Sequence, residues 1–325
     1  MDIRVPRRSA IALAAAGALA STGTVYLGVR NLLAGQADLA RRIIPKAWDI
    51  PPRADGVYTR DGGPTQRWRR GMPVDLNLMI FGDSTATGYG CHSGDEVPGA
   101  LIAKALAERT GKRVRLSTKA IVGATSKGLS GQVDAMFVAG PPPDAAVIMI
   151  GANDISALNG IGNSARRLGA AVRRLHASGA VVVVGTCPDL GVITALPQPL
   201  RWVAHARGRR LAHAQAVAVK AAGGIAVPFA DLLAPEFQHA PELLFSEDQY
   251  HPSAAGYALA ANQLIPALCN ALSESPGESA DSVAELPWTP TAANAVAPRI
   301  RLLAMSRLRH QPTTGVPAPV VPADG

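Results

Sequence analysis

The stretch NLMIFGDSTATGYG, residues 77–90, changes character near its centre. Its first half is an apolar run typical of a buried β-strand, whereas its second half consists mainly of Gly, Asp, Ser and Thr, which packed cores disfavour. Ser84 therefore lies at the carboxyl end of the predicted strand, flanked by small and polar residues. This pattern fits an ordinary turn as well as an exposed nucleophile, and the rest of the chain must decide between them.

Further apolar runs predict a sheet. With VDLNLMIFG (74–82), the runs VRLSTKAI (114–121), AAVIMIG (145–151), AVVVVGTC (180–187) and IAVPFADL (225–232) predict five strands. Segments with helical spacing of apolar residues lie at 97–110, 128–139, 161–177, 201–222 and 253–273. Short apolar strands that alternate with helices predict an α/β fold, in which a mostly parallel five-stranded sheet is covered by helices on both faces.

Polar residues that packing does not explain fall in four of the predicted loops. They are Gly82-Asp83-Ser84 after the first strand, Gly123 after the second, GAND (151–154) after the third, and the Asp248 to His251 segment just before the last helix. In open parallel sheets, ligands bind beyond the carboxyl ends of the strands. All four loops are therefore predicted to meet at one edge of the sheet.

These residue types suit the cleavage of an ester. A serine hydroxyl becomes a strong nucleophile when an imidazole takes its proton, and a carboxylate on the other ring nitrogen holds that imidazole in place. Taken singly, each segment is better explained as a turn or a helix cap. In particular, Asp83 and Asp154 are interpreted as residues that brace their loops. Only the four segments together favour catalysis.

The same set of segments resembles the SGNH (GDSL-type) hydrolase family over residues 74–272. The family's blocks, a G-D-S, a glycine, a G-x-N-D and a D-x-x-H, are matched by GDS (82–84), Gly123, GAND (151–154) and DQYH (248–251) in the same order. The resemblance implies a flavodoxin-like three-layer α/β/α sandwich. It also implies that Ser84 is the nucleophile, His251 the base and Asp248 its orienting partner, with an oxyanion hole formed by Ser84, Gly123 and Asn153.

The distribution of charge argues against nucleic-acid binding. The net charge is +8, but residues 1–72 hold 12 Lys/Arg against 5 Asp/Glu, whereas residues 73–274 hold 16 against 15. The basic excess therefore belongs to the N-terminal arm and not to the predicted domain. Because the sequence contains no H-E-x-x-H motif, carboxylate cluster or phosphate-binding P-loop, no metal or other cofactor is expected.

The chain is predicted to have four parts. Arg4, Arg7 and Arg8 precede an uncharged stretch at 9–29, so residues 1–30 are predicted to be either a cleaved signal peptide or an N-terminal membrane anchor. A buried Ala-rich helix is the alternative that the arginines disfavour. The other parts are an arm or linker (31–72), the SGNH hydrolase domain (73–274) and a Pro/Ala-rich tail (275–325). The N-terminal signal and the long tail make the chain most similar to the exported actinobacterial branch of the family.

Two further expectations concern cysteine and histidine. Cys91 and Cys187 each follow a predicted strand, so they could form a disulfide in an oxidising compartment, although buried free cysteines fit the sequence equally well. His205 and His213 lie on an Arg-rich predicted helix and are expected to be solvated.

The sequence thus predicts an exported serine esterase, secreted or anchored at the membrane, that hydrolyses short-chain acyl or acetyl esters through an acyl-enzyme. Cell-envelope lipids and acetylated glycans are candidate substrates, and the N-terminal segment is a candidate membrane contact. Few aromatic residues lie near the motifs, which argues against a long lipid tunnel or a sugar-stacking platform. Three alternatives remain open: an acyltransferase, a lysophospholipase or thioesterase that uses the same site, and a non-catalytic envelope protein that binds a ligand.

Overall fold

A computed structural model of the protein describes residues 25, 27–37, 50–63, 65–138 and 141–274. Most of the predicted signal or anchor and the whole predicted tail lie outside these residues. Within them, one sheet has six strands in the order β1-β3-β2-β4-β5-β6. The strands are β1 Gly56–Tyr58, β2 Leu76–Gly82, β3 Val114–Thr118, β4 Ala145–Met149, β5 Val181–Gly185 and β6 Ile225–Val227.

The sheet is mostly parallel, as predicted, but it has one strand more than the predicted five. Strands β2 to β6 are parallel, and β1 pairs antiparallel with β3 at the edge, with Gly56 opposite Leu116. Strand β1 lies in the segment predicted to be an arm or linker. With three residues it is too short to show an alternating pattern, and it forms because β3 offers it an unpaired edge.

Helices follow the strands at nearly the predicted positions. They span Ser84–Thr87, Pro98–Thr110, Leu129–Val138, Ala152–Ser156, Ile161–Ala177, Leu200–Lys220, Phe229–Leu232, Ala234–His239, Pro241–Leu244 and Ala254–Glu274. Residues 27–37 are also helical. The run predicted as a strand at 225–232 is half helix, because Pro228 lacks the N–H that would extend the ladder of β6. None of the helices described is long and apolar enough to cross a membrane.

Two apolar cores lie on opposite faces of the sheet. Along β2, Leu78 and Ile80 belong to one core, whereas Met79 and Phe81 belong to the other. Helices Pro98–Thr110 and Ala254–Glu274 cover the first core, and helices Leu129–Val138 and Ile161–Ala177 cover the second. Burial of each large apolar side chain contributes about 1.5–3 kcal/mol. The result is the predicted three-layer α/β/α sandwich.

Two glycines bring the carboxyl ends of neighbouring strands close together. Gly82 has a φ of 137°, and a Cβ at this position would lie 1.9 Å from the Met149 carbonyl oxygen. Gly151 has a φ of 148°, and its Cβ would lie 2.8 Å from Cβ of Cys187. A side chain is thus excluded at both positions. The polar loops begin where β2, β4 and β5 approach each other this closely.

Candidate active site

Ser84 is held in place by its neighbour Asp83. Ser84 begins the helix Ser84–Thr87 directly after β2, and Asp83 caps this helix by accepting hydrogen bonds from the backbone N–H (3.0 Å) and the hydroxyl (2.7 Å) of Thr85. The other Asp83 oxygen accepts from the N–H of Gly151 at 3.4 Å. Burial raises the pKa of Asp83. Asp83 therefore ties the loop after β2 to the loop after β4, which is the bracing role predicted for it.

A continuous chain of hydrogen bonds joins Ser84, His251 and Asp248. His251 Nε2 lies 2.9 Å from Ser84 Oγ, and His251 Nδ1 lies 2.6 Å from Asp248 Oδ2. Ser84 and His251 are both buried. The structure therefore brings together the three side chains that the sequence selected. In this arrangement the imidazole is placed to take the serine proton while the carboxylate holds the ring.

The loop 246–251 closes around the Asp248 carboxylate. Its Oδ1 accepts hydrogen bonds from Ser246 Oγ (2.8 Å) and from the N–H groups of Tyr250 (2.9 Å) and His251 (2.8 Å). Gln249 has a φ of 53°, and this left-handed residue turns the chain back on itself. Burial opposes ionisation of Asp248, but the hydrogen bonds from His251 and Tyr250 outweigh it and lower the pKa to about 2. The carboxylate is therefore charged at neutral pH.

Two tyrosine rings flank the His251 imidazole. The ring centroid of Tyr89 lies 4.6 Å from that of His251, and the centroid of Tyr250 lies 5.0 Å away on an edge-to-face contact. Tyr257 Oη donates a hydrogen bond to the carbonyl oxygen of Tyr89 at 2.7 Å, which holds the backbone of Tyr89 in place. Burial raises the pKa of Tyr250 to about 12. Neither tyrosine is predictable from the sequence, because no spacing rule identifies a residue that acts by packing.

Asn153 is fixed in the loop after β4, beside Ser84. Its amide donates one hydrogen bond, of 3.1 Å, to the carbonyl oxygen of Ala124, and a second N–H remains for a ligand. Asn153 and Ser84 line the same cavity, but Gly123 lies outside that lining. Gly123 occupies an exposed turn with a φ of 78°. This turn starts beside the end of β2, because the N–H of Ile121 donates to the carbonyl oxygen of Gly82 at 3.1 Å.

Asp154 braces the loops that carry Asn153 and Gly123. Its buried carboxylate accepts hydrogen bonds from the hydroxyl (2.7 Å) and the N–H (2.8 Å) of Ser126, which follows the Gly123 turn. It also accepts from Ser164 Oγ (2.8 Å) and Asn159 Nδ2 (2.9 Å). These four bonds tie the loop after β3 to the loop after β4. The structure therefore gives Asp154 the bracing role that the sequence analysis assigned to it.

Comparison with known proteins identifies the family. Residues 80–259 match the GDSL-like Lipase/Acylhydrolase family. The chain belongs to this family. Its members are serine ester hydrolases. A GDSL-like esterase of Mycobacterium tuberculosis is 68% identical over 314 residues, which cover 96% of this chain and 99% of the relative.

Two solved structures are similar to the GDSL-family domain. The lipase/acylhydrolase from Enterococcus faecalis is 20% identical, and the match covers 63% of this chain and all of that one with a TM-score of 0.48. The α/β-hydrolase enzyme LAE5, from the metagenome of Lake Arreo in Spain, is 21% identical over 60% of this chain and 96% of that one, with a TM-score of 0.49.

An apolar cavity of about 90 Å³ lies against Ser84 and His251 in this GDSL-family enzyme. Its lining includes Ile150, Leu190, Ile193, Phe229, Leu233, Phe237, Phe245 and Tyr257. Few aromatic residues lie near the motifs in the sequence, and the sequence therefore does not predict this cavity. Most of its aromatic residues come from 229–245, a stretch without a motif, and only folding brings that stretch to the site.

A second histidine, which the sequence predicts to be solvated, is partly exposed and also contacts the wall of the cavity. His205 Nδ1 lies 2.8 and 2.9 Å from the two carboxylate oxygens of Asp189, whose side chain is buried and lines the cavity. Asp189 also accepts from the N–H of Gly191 at 2.8 Å. His213, by contrast, is exposed as predicted. The contact between His205 and Asp189 escapes prediction because Asp189 lies in the loop after β5, on another element.

The disulfide that the sequence left open does not form. Cys91, Cys187 and Cys269 are all free, and the first two are buried. Cys91 Sγ lies 3.4 Å from the carbonyl oxygen of Glu96, and burial raises its pKa to about 12. The sulfur of Cys187 packs near Gly151, at the junction of the strands. Both thiols therefore serve as small apolar residues of the core.

Proposed function

We propose that this GDSL-family enzyme is an exported serine esterase that hydrolyses small carboxylic esters, with Ser84, His251 and Asp248 as its catalytic triad. The observation that carries the proposal is the hydrogen-bonded chain from Ser84 Oγ to Asp248, with links of 2.9 and 2.6 Å. The esterase name of the mycobacterial relative supports ester chemistry. Export is supported by Arg4, Arg7 and Arg8 before the uncharged stretch 9–29.

In the first half of the reaction, Ser84 Oγ attacks the carbonyl carbon of the ester and His251 Nε2 accepts the serine proton. The charged Asp248 stabilises the imidazolium that results. The backbone N–H groups of Ser84 and Gly123 and the amide of Asn153 are the proposed donors to the oxyanion. When the tetrahedral intermediate collapses, His251 gives its proton to the departing alcohol, and the acyl group stays as an ester on Ser84.

In the second half, His251 Nε2 takes a proton from water as the water oxygen attacks the acyl-enzyme. The bond between the acyl carbon and Ser84 Oγ breaks, and His251 returns the proton to that oxygen. The product is a carboxylic acid, and the enzyme regains its starting state. Every proton in this cycle moves through one imidazole nitrogen, which the two flanking tyrosine rings and Asp248 keep in one orientation.

The size of the apolar cavity supports a short acyl group. At about 90 Å³, the cavity has room for several groups the size of a water molecule, and its lining is mainly apolar. An acetyl or short acyl chain fits this space. We propose acetylated glycans or lipids of the cell envelope, carrying such groups, as the physiological substrates.

The decisive experiment combines active-site labelling with hydrolysis of p-nitrophenyl esters. Because Ser84 supplies the nucleophile, Ser84→Ala should abolish labelling by a fluorophosphonate probe and reduce hydrolysis by about 10⁴-fold or more. Its thermal midpoint should stay near that of the native protein. Ser130→Ala, which removes an exposed serine hydroxyl elsewhere, is the matched control. Labelling or turnover that persists in Ser84→Ala would reject the assignment.

A further inference from the structure

Exposed apolar side chains surround the edge of the sheet at which Ser84 lies. Leu158 is 73% exposed, Trp202 65% and Ile121 59%. Ile121 follows β3, Leu158 follows the first turn after β4, and Trp202 lies in the first turn of the helix that begins after the β5 loop. Because β3, β4 and β5 are parallel, all three residues lie at their carboxyl edge. We call them the apolar rim.

Hydrogen bonds connect the segments that carry the rim. Arg207 Nη2 donates to the carbonyl oxygen of Asn159 at 3.2 Å and so joins the helix of Trp202 to the residue after Leu158. The bond of 3.1 Å from Asn153 Nδ2 to Ala124 joins the Leu158 segment to the loop that starts at Ile121. The segments that carry the three apolar side chains are therefore joined to one another around the loops of the active site.

Leu158 occupies a strained backbone position without being buried. Its φ is 53°, in the left-handed region that bulky residues avoid, and it ends the short helix Ala152–Ser156, where glycine or asparagine is usual. A leucine at this position strains the backbone, yet its side chain remains exposed to solvent. Packing within the chain does not explain the leucine, so a contact outside the chain is indicated.

The N-terminal helical segment, residues 27–37, is attached beside the rim. Gln36 Oε1 accepts from the N–H of Leu200 at 3.0 Å, and Gln36 Nε2 donates to the carbonyl oxygen of Gln198 at 2.5 Å. This contact lies two residues before Trp202. The exposed apolar side chains on and just before this segment are Val25, Leu27, Val29 and Leu32. In the sequence, residues 27–29 of this segment are also the end of the uncharged stretch 9–29, and residues 30–37 follow that stretch directly.

We propose that the apolar rim and residues 30–37, the part of the helical segment beyond the uncharged stretch, dock together onto a lipid membrane surface, so that the active site faces the bilayer. This inference rests on the proposed export and on residues 1–30 remaining as an anchor. If the stretch 9–29 inserts, the segment that follows it emerges at the membrane surface, and the Gln36 contact brings the rim to the same level. Leucine, isoleucine and tryptophan suit the boundary between headgroups and acyl chains. A short acyl ester on a lipid alcohol then meets Ser84 at the membrane.

The docking can be tested on the full chain reconstituted in vesicles of phosphatidylcholine and phosphatidylglycerol. An environment-sensitive fluorophore is attached at Leu158→Cys in a Cys269→Ala background, and lipids with a nitroxide near the headgroup act as quencher. The control is Val217→Cys, an exposed position on the helix of Trp202 about 22 Å further along its axis. Docking predicts at least about twofold stronger quenching at 158 than at 217.

The possible results distinguish a failure of the docking proposal from a failure of the anchor proposal or the esterase proposal. Equal quenching at 158 and 217, in protein that floats with the vesicles, overturns the docking and leaves the anchor intact. Protein that does not float with the vesicles overturns the anchor, and the docking with it. Failure of the esterase proposal appears separately, as absent hydrolysis of dissolved p-nitrophenyl acetate by the native chain.

Substitution of the rim supplies a second test. Leu158→Asn replaces the apolar side chain with one that tolerates the left-handed backbone, and Trp202→Gln removes the indole. Each should lower the hydrolysis of hexadecyl acetate embedded in vesicles by about tenfold, while hydrolysis of dissolved p-nitrophenyl acetate stays unchanged. Val217→Asn should change neither rate. Vesicle hydrolysis at the native rate in both rim variants would overturn the proposal.

Discussion

At the scale of single residues, Asp248 determines both the shape of a loop and the orientation of the imidazole. One carboxylate oxygen accepts hydrogen bonds from Ser246, Tyr250 and His251, and the other accepts from the His251 ring. The carboxylate cannot turn away from the imidazole without losing the bonds that close the loop. This division of the two oxygens explains how Asp248, only three residues before His251, contacts its ring.

Because the pKa of Asp248 is lowered, the free energy of unfolding should depend on pH in the acid range. The pKa falls from 3.8 to about 2 on folding, so the carboxylate contributes stability that is fully present above pH 3.8 and is lost as the pH falls toward 2. Over this window, the free energy of unfolding should fall by about 2 kcal/mol more in the native protein than in Asp248→Asn. Urea unfolding at a series of pH values measures the difference. Glu247→Gln controls for the loss of one carboxyl group from the same loop, and identical pH profiles for native protein and Asp248→Asn would contradict the expectation.

Residues of a chemical type suited to catalysis are easier to find in a sequence than residues that position them. Proton transfer requires particular chemical types, so Ser84, Asp248 and His251 stand out once four loops are considered together. Their hydrogen-bonded contact in the structure agrees with that selection. Tyr89 and Tyr250 hold the imidazole by ring packing, for which many residue types would serve. Their positions depend on the left-handed turn at Gln249 and on the hydrogen bond from Tyr257 to Tyr89, and neither can be predicted from the sequence.

At the scale of elements, two buried glutamines attach helices to the ends of strands. Gln132, on the helix Leu129–Val138, accepts from the N–H of Gly82 at 2.8 Å and donates to its carbonyl oxygen at 2.7 Å. Gln215, on the helix Leu200–Lys220, accepts from the N–H of Cys187 at 2.7 Å and donates to the carbonyl oxygen of Ile150 at 2.9 Å. Helices on the face of the sheet thereby fix the strand ends from which the site loops start.

Gln132→Leu should destabilise the protein and slow catalysis together. The leucine would leave the buried N–H of Gly82 without its glutamine partner, at a cost of about 1–3 kcal/mol, whereas the Gly82 carbonyl oxygen would keep the hydrogen bond from the Ile121 N–H. We expect the free energy of unfolding, measured in urea, to fall by about 1–3 kcal/mol, and kcat to fall because Ser84 lies two residues beyond this junction. Asp134→Ala, an exposed substitution on the same helix, should change the stability far less. Native-like stability in Gln132→Leu would show that water replaces the glutamine.

The elements themselves were predictable where their apolar pattern was long enough. Five strands are predictable from apolar runs, because a parallel sheet is buried on both faces. Five long helices are predictable from the helical spacing of their apolar residues. Strand β1, Gly56–Tyr58, was not predictable, because its three residues are too few to show a pattern and form a strand only by pairing with β3. The short helices between Phe229 and Leu244 were missed for a similar reason, because each is too brief to show a helical period.

At the scale of the whole molecule, the cavity beside Ser84 joins parts of the chain that are distant in the sequence. Its wall combines the end of β4, the loop after β5, the short helices after β6 and the first turns of the helix Ala254–Glu274. Each part contributes apolar side chains, and none forms a pocket alone. The cavity is consequently a property of the folded domain and not of any single motif.

Enlarging this cavity should lengthen the acyl chains that the enzyme accepts. Phe237 lines the cavity and meets Phe245 edge-to-face at 4.9 Å, so Phe237→Ala opens one wall. Two further methylenes buried at about 0.8 kcal/mol each should raise kcat/KM for p-nitrophenyl octanoate, relative to acetate, by roughly tenfold. The substitution should also cost about 3–5 kcal/mol of stability, so the assay needs a temperature well below the thermal midpoint.

The control is Met136→Ala, which removes a buried side chain from the core on the opposite face of the sheet. It should destabilise the protein without altering the preference for acyl chain length. An unchanged ratio in Phe237→Ala would mean that the acyl group binds elsewhere, because a chain held in this cavity would gain contact with the added space.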